Sequence, residues 1–327
     1  MLDGVATGPT SGAAWYDVTR QGFLAYATGG SVRPDGRLSW EGPGHPIQVL
    51  ERLDAGIFGP IRLSRDAKRA VMQVYAANDK LWLIDLEQMN ATRLTSGGGN
   101  DADGMLSPDG RFVLFLSDRA GSGHRFYRML VGGSAPPELL LEGTGRIHSI
   151  SYPARMLGFS LDSERDGRDA YVVALGPDGT LAGKPILVAG GPGDQDDPTV
   201  SADGALVAYE SLESGRSEVY VVRLADPSSR RRVTSDGGHA PLWSREGKRL
   251  FYESNDRVVS VALRLASDLR FEPPQVVTGS DVPGKVLSFD VAPDGTSALV
   301  GRMADPLMLR RDIRLWPGWG KTLPPVE

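Results

Sequence analysis

The chain is predicted to fold as an all-β propeller of four-stranded antiparallel blades, on three observations. A short polar turn recurs at near-constant spacing along 327 residues, β-rich runs flank each turn, and helical periodicity is essentially absent. The turns are "TRQG" ending at Gly22, "SRDA" at Ala67, "SPDG" at Gly110, "YPAR" at Arg155, "SADG" at Gly204, "SREG" at Gly247 and "APDG" at Gly295. The intervals between them are 45, 43, 45, 49, 43 and 48 residues. A lone four-stranded sheet exposes both faces, so the unit must be stacked radially to bury them.

Each unit reads in the same order. An inner strand leads into the turn, and a second strand follows it, such as "RAVMQVY", "RFVLFLS", "LVAYES" or "RLFYES". Valine, isoleucine, phenylalanine and tyrosine suit a pleated, half-buried surface. A polar hairpin then gives a third strand ("KLWLIDL", "DAYVVAL", "EVYVVRL"), and a short fourth closes the unit ("ATRLT", "PELLL", "KPILVA", "RRRVT", "PQVVTG"). Aspartate closes the turns through its side chain and glycine supplies positive φ.

The units start near residues 14, 57, 100, 146, 194, 238 and 285, within a single domain spanning 1–327. Seven blades are expected. Six is the alternative, with the degenerate first unit or the fourth ("SISYPARMLGFSLD") as an irregular insertion. The last unit lacks a clear fourth strand, so the N-terminal piece "MLDGVA" is expected to join the last blade and protect its edge.

Composition bounds the function. Hydrophobic residues make up 40% and charged residues 24%, an ordinary globular balance. A net charge of −5, with no basic run beyond Arg230-Arg231-Arg232, gives no footprint for nucleic acid. The absence of cysteine excludes disulfides, thiolate zinc sites and cysteine nucleophiles. No apolar stretch reaches the length needed to span a bilayer, and "MLDGVATGPTSG" does not read as a signal peptide. A monomer is expected.

The stretches "LSPDGRFVLFLSDRAG", "DDPTVSADGALVAYESLESGRSEVYVVRL" and "APLWSREGKRLFYES" resemble TolB-like, WD-repeat-like propeller repeats, over roughly residues 13 to 300. In order and detail they are most similar to the propeller region that follows the kinase domain in certain bacterial serine/threonine kinases. The resemblance implies an accessory module that binds a protein, peptide or small ligand, placed in the periplasm or otherwise outside the cytoplasmic membrane if the propeller is an excised domain, and in the cytoplasm if not. No kinase signature and no Gly-x-Ser-x-Gly elbow accompanies the repeats, which sets aside a kinase or a prolyl-oligopeptidase-type enzyme.

Chemistry would sit where inner strands face the central channel. Counting back four residues from each turn gives Trp15, Pro60, Asp103, His148, Asp197, Ala240 and Ser288. Counting back two gives Asp17, Arg62, Met105, Ile150, Thr199, Leu242 and Asp290. The approaches add Asp101, Asp194, Asp196 and His239.

Asp103, His148 and Asp197 stand at one height on consecutive units. Carboxylates with one imidazole suit calcium or another divalent ion, the one cofactor this pattern suggests. Asp17, Arg62, Asp196, His239 and Asp290 would line a ligand channel around them. Three functions follow in order. The first is a non-catalytic binding module. The second is a metal-dependent hydrolase of an ester, lactone or phosphoester, with His148 or His239 as base. The third is a lyase on an acidic sugar, with Arg62 pairing the carboxylate. The competing reading of the same carboxylates is that they cap strands and accept backbone N–H bonds.

Overall fold

The computed structural model describes residues 16–18, 24–27, 36–42, 48–49, 58–75, 78–121, 123–163, 167–265, 269–278, 284–303 and 313–316. All described elements are strands. The first four are β1 (Tyr16–Val18), β2 (Leu24–Ala27), β3 (Gly36–Glu41) and β4 (Gln48–Val49).

Five blades then follow one another along the chain. Blade 1 holds β5 (Phe58–Leu63), β6 (Arg69–Val74), β7 (Lys80–Asp85) and β8 (Asn90–Arg93). Blade 2 holds β9 (Asp101–Leu106), β10 (Phe112–Ser117), β11 (Arg125–Leu130) and β12 (Glu138–Leu141). Blade 3 holds β13 (Gly145–Ser151), β14 (Met156–Asp162), β15 (Arg168–Ala174) and β16 (Ile186–Ala189). Blade 4 holds β17 (Gln195–Val200), β18 (Leu206–Ser211), β19 (Glu218–Arg223) and β20 (Asp226–Arg232). Blade 5 holds β21 (His239–Trp243), β22 (Arg249–Ser254) and the long β23 (Arg257–Leu265), which pairs with both β24 (Leu269–Phe271) and β25 (Gln275–Val276).

The sixth blade is shared between distant parts of the chain. Its inner half is β26 (Lys285–Val291) and β27 (Ala298–Met303), and its outer half is β3 and β4. The remaining β28 (Ile313–Trp316) pairs with β2 in a three-stranded sheet with β1. The inner strands β5, β9, β13, β17, β21 and β26 neighbour one another in that order, and β26 returns to β5.

The ring therefore has six blades, not the seven that the repeat count predicts. The fourth unit is a regular blade. The first unit is the one divided: its leading strands β1 and β2 form a separate sheet in which β2 pairs with β28, while its trailing strands fill the vacant half of blade 6. The expected closing piece, Met1 to Ala6, lies outside the described residues.

Blade 6 is locked by a buried ion pair. Arg302 on β27 grips Glu41 on β3 through two bonds of 3.0 and 3.1 Å, and both side chains are at most 3% exposed. Ser39 Oγ donates to Glu41 at 2.8 Å, and Arg302 also donates to the Gly284 and Asp256 carbonyls. A buried pair with its remaining lone pairs satisfied fixes register across strands that sequence does not connect.

The core is divided among the blade interfaces. Met105, Leu114, Leu116 and Phe126 of blade 2 pack on Ile147, Leu157, Phe159 and Val173 of blade 3. Equivalent clusters join blades 1 and 2, 3 and 4, 4 and 5, 5 and 6, and 6 and 1. Burying each such side chain contributes about 1.5–3 kcal/mol, and no blade could obtain it alone.

The recurring turn has a chemical basis. Ser107 Oγ donates to Asp109 Oδ1 at 2.6 Å and accepts from the Phe112 amide at 3.0 Å. Asp109 in turn accepts from the Arg111 amide. Ser64 with Asp66 and Ser201 with Asp203 repeat the first bond at 2.6 Å. The turn's last residue is left-handed in all six ring blades, at Gly110, Gly204, Gly247 and Gly295 and also at Ala67 and Arg155. That conformation is why glycine dominates the position.

Candidate functional site at the mouth of the central channel

Each inner strand enters from the preceding blade and runs along the channel to its turn. All six carry a register shift part-way along, opposite β6, β10, β14, β18, β22 and β27. Asp103, Asp197 and Ala240 at these bulges have left-handed backbones, with φ of 49°, 50° and 48°. Aspartate tolerates this region better than most residues. A bulge re-aims the side chains around it, and these sit at the height that counting back from the turns singles out.

Three of the candidates form one network. His148 places Nδ1 2.6 Å from Asp197 Oδ1 and Nε2 2.7 Å from Asp196 Oδ1. Ser160 Oγ lies 2.9 Å from Nε2 and donates to Asp196 Oδ1 at 2.7 Å. Arg168 Nη2 pairs with Asp196 Oδ2 at 2.7 Å and Asp194 at 3.3 Å. Burial alone would push His148 down, but the two carboxylates overcome it and raise its pKa to about 9. The ring is therefore an imidazolium at neutral pH, donating from both nitrogens. Burial likewise opposes ionisation of Asp196 and Asp197, yet the histidine charge beside them holds both below the usual carboxylate range.

Asp103 is held elsewhere. Arg146 grips it side-on, Nε to Oδ2 and Nη2 to Oδ1, each at 3.1 Å. Its carboxylate oxygens and the His148 nitrogens are thus engaged with donors and acceptors of the protein. A divalent ion here would have to displace the bonds that these groups now make to Arg146, Asp196 and Asp197. Among the described residues no three His, Asp or Glu side chains are grouped to hold a metal ion.

The other candidates occupy different layers. Arg62 lies deeper and spends its guanidinium on the carbonyls of His148 (2.9 Å), Ile61 (2.9 Å) and Phe289 (3.3 Å). Asp290 accepts from the amides of Leu63 at 2.6 Å and Val291 at 2.7 Å, and its burial raises its pKa. His239, half exposed, contacts Glu210 at 3.2 Å across the mouth of blades 4 and 5. Glu210 draws the His239 pKa upward. Asp17 is on β1, outside the six-bladed ring, and its side chain is outside the described ones. Asp101 is structural: fully buried, it pairs with Lys80 at 3.1 Å and Arg119 at 2.8 Å and accepts from Ser117.

The two ends of the channel differ. At the turn end, Tyr152 Oη donates to the Leu63 carbonyl at 2.9 Å, with the Leu106 carbonyl at 3.4 Å. Arg245 lies over the Tyr152 ring and donates to the Ser64 carbonyl at 2.7 Å. What remains is a cavity of about 60 Å³, room for a few waters. At the other end a pocket of about 620 Å³ opens over blades 1 to 3, lined by Tyr75, His124, Arg146 and Arg168 among others.

Sequence reasoning missed Arg146, Arg168, Ser160 and Tyr75. One signal was present: Arg146 is two residues before His148 on β13, at the channel approach that the count from the turn marks out.

No protein-family model and no curated protein matches the chain. Solved structures do. A protein assigned as TolB from Agrobacterium tumefaciens matches with a TM-score of 0.63 and 18% identity, over 84% of this chain and 100% of that one. TolB from Acinetobacter baumannii matches at 0.56 and 16%, over 76% of this chain and 65% of that one. A chain of a nidogen/laminin complex matches at 0.51 and 13%, over 70% and 89%. The kinase-attached propellers expected from the repeat detail are not among these three. At such identities the likeness concerns the fold, which is that of a TolB-like β-propeller with six blades in its ring.

Proposed function

We propose that the protein is a non-catalytic binding propeller, with its site at the wide mouth of the channel and a peptide or peptide-like segment as its ligand. The observation that carries this reading is the asymmetry of the channel. The turn end is crossed by Tyr152, Arg62 and Arg245, whereas the other end opens into a pocket of about 620 Å³ with charged and aromatic walls. A pocket of that size with a few fixed polar groups suits a small ligand or a short peptide stretch. Both ring nitrogens of His148 are engaged by Asp197 and Asp196, and the Ser160 hydroxyl beside it is buried and donates to Asp196, which favours binding over turnover. Placement outside the cytoplasmic membrane, as the TolB-like repeats imply, belongs to the same proposal.

A phage-displayed random peptide library selected on the protein tests it. Selected peptides should lose at least tenfold in affinity on an Arg146→Gln/His239→Ala variant, read by fluorescence anisotropy. They should bind unchanged to Lys68→Ala, a substitution at the turn end. Peptides indifferent to the mouth variant would overturn the reading.

A further inference from the structure

We infer that the outer edge of blade 3 is a contact between two copies of this chain, in which β16 pairs antiparallel with β16 of a second copy across a two-fold axis. β16 pairs only with β15, so the backbone groups of its other edge have no strand partner. Every blade has such an outer edge, and the others described here are short or charged. β8 ends in Arg93, β12 begins with Glu138, β20 carries Pro227 and three arginines, and β4 and β25 are two residues long. β16 reads Ile-Leu-Val-Ala, an outer strand of four residues with no charge. Its interruptions are Pro185 just before it and a bulge at Val188, which two-fold pairing places beside the axis in both copies, so the two edges bend alike.

The side chains of this edge are open. Leu187 is 54% and Ile186 46% exposed, and among the described residues they are the only large exposed hydrophobics adjacent in sequence. They pair in regular register with Tyr171 and Val172, so they point to opposite faces and both flanks of the edge are apolar. A body resting on one face would cover one of them. An added strand covers both and takes up the free backbone groups. On the blade 4 side, Leu187, Val188 and Ala189 border a cleft of about 320 Å³ whose walls include Val222 and Pro227, room for apolar side chains of that strand.

Charge complementarity identifies the strand as a second copy. With the four residues of one β16 opposite the four of the other, Ile186 faces Ala189 and Leu187 faces Val188 of the second copy. The same count sets Lys184 level with Gly191, whose amide donates to Asp169 Oδ1 at 3.3 Å. Lys184 is exposed, and among the described residues neither it nor Asp169 has an ion partner. Self-pairing thus brings a lysine to an aspartate twice, once on each side of the axis, and sets no like charges opposite each other within the strand. A contact of this length falls at the small, transient end of protein interfaces. The monomer expected from the sequence is then the dilute form of a reversible dimer. β16 is the outermost strand of its blade, so the channel mouth stays open to ligand.

Sedimentation velocity on the folded protein from about 5 to about 500 µM tests the contact. The weight-average mass should rise from one chain toward two, with a dissociation constant on the order of tens of micromolar. Leu187→Lys, at an exposed position beside the axis, should weaken the dimer about tenfold with the circular dichroism spectrum preserved. Lys184→Glu and Asp169→Lys should each weaken it about fivefold, and the double variant, which reverses both ion pairs, should recover most of the loss. Should Asp169→Lys fail to fold, Leu187→Lys and Lys184→Glu carry the test, since both alter exposed residues. A single chain at every concentration would overturn the interface, even if an added strand peptide bound the edge. So would a dimer that Leu187→Lys leaves undiminished, or single-variant losses that the double variant does not recover.

Discussion

The two ends of the channel are built from different interactions. The turn end is tied by hydrogen bonds onto main-chain carbonyls, from Tyr152 to blade 1 and from Arg245 to blade 1. The mouth is assembled from ionised groups: His148 between two aspartates, Arg168 against Asp194 and Asp196, Arg146 against Asp103. The first kind of bond is insensitive to pH over the range where the protein would work. The second is set by protonation and by whatever charge enters the pocket. One fold thus places a permanent tie and a responsive surface at opposite ends of the same six strands.

The strongest way to break this contrast is at His148. Replacing it with glutamine removes the cation between Asp196 and Asp197 and leaves Arg168 at the outer oxygen of Asp196 alone, and stability should fall by about 3–5 kcal/mol, read from urea unfolding. The pH profile should show the same dependence. His148 is raised from its ordinary 6.5 to about 9, so its contribution is complete below pH 6.5 and is lost as pH rises through 9. That loss is on the order of 3 kcal/mol in the wild type and absent from His148→Gln. Asp196 and Asp197, both depressed, contribute above their ordinary values and lose that contribution as pH falls. A wild-type profile flat from pH 6.5 to 9.5 would remove the ionic character assigned to the mouth.

A smaller change sharpens the other end. Tyr152→Phe leaves the Leu63 carbonyl without its donor and should cost about 1–2 kcal/mol. The cost should be the same at pH 6 and pH 8.5, and peptide binding at the mouth should be unaltered. A pH-dependent cost would place the turn end in the same electrostatic system as the mouth.

The smallest expected effect is at Gly59, where a Cβ would lie 2.7 Å from Tyr75 Oη and 2.9 Å from its Cζ. Gly59→Ala should displace the Tyr75 ring and lower affinity for mouth-binding peptides about threefold, with stability changed by less than about 1 kcal/mol. Unchanged affinity would detach Tyr75 from the site.

What was legible in the sequence follows from the range of the interactions involved. The Ser107-to-Gly110 turn is closed by its own side chains and one left-handed residue, so its pattern states its structure. The height shared by Asp103, His148 and Asp197 was legible for the same reason, because it is a fixed count from that turn. Blade number was not. β3 and β4 carry the same strand pattern whether they complete their own unit or one begun at residue 285. The pairing of Asp103 with Arg146 spans 43 residues, and nothing local distinguishes Asp103 from Asp101, which is fully buried against Lys80. Side-chain partners across blades are set by the ring, and the ring exists only once all its blades are present.

The shared sixth blade has a consequence for how the protein comes into being. Glu41 and Arg302 are 261 residues apart, so the bond between them closes one of the longest loops the chain can make. During synthesis β3 and β4 emerge early and wait, with unpaired edges, until β26 and β27 follow. Blades 1 to 5 can form in turn from neighbouring sequence, but closure is delayed to the final step. A nascent chain therefore passes through an open arc whose first and last faces are apolar. The period before closure is when it is most exposed to strand exchange with another copy of itself.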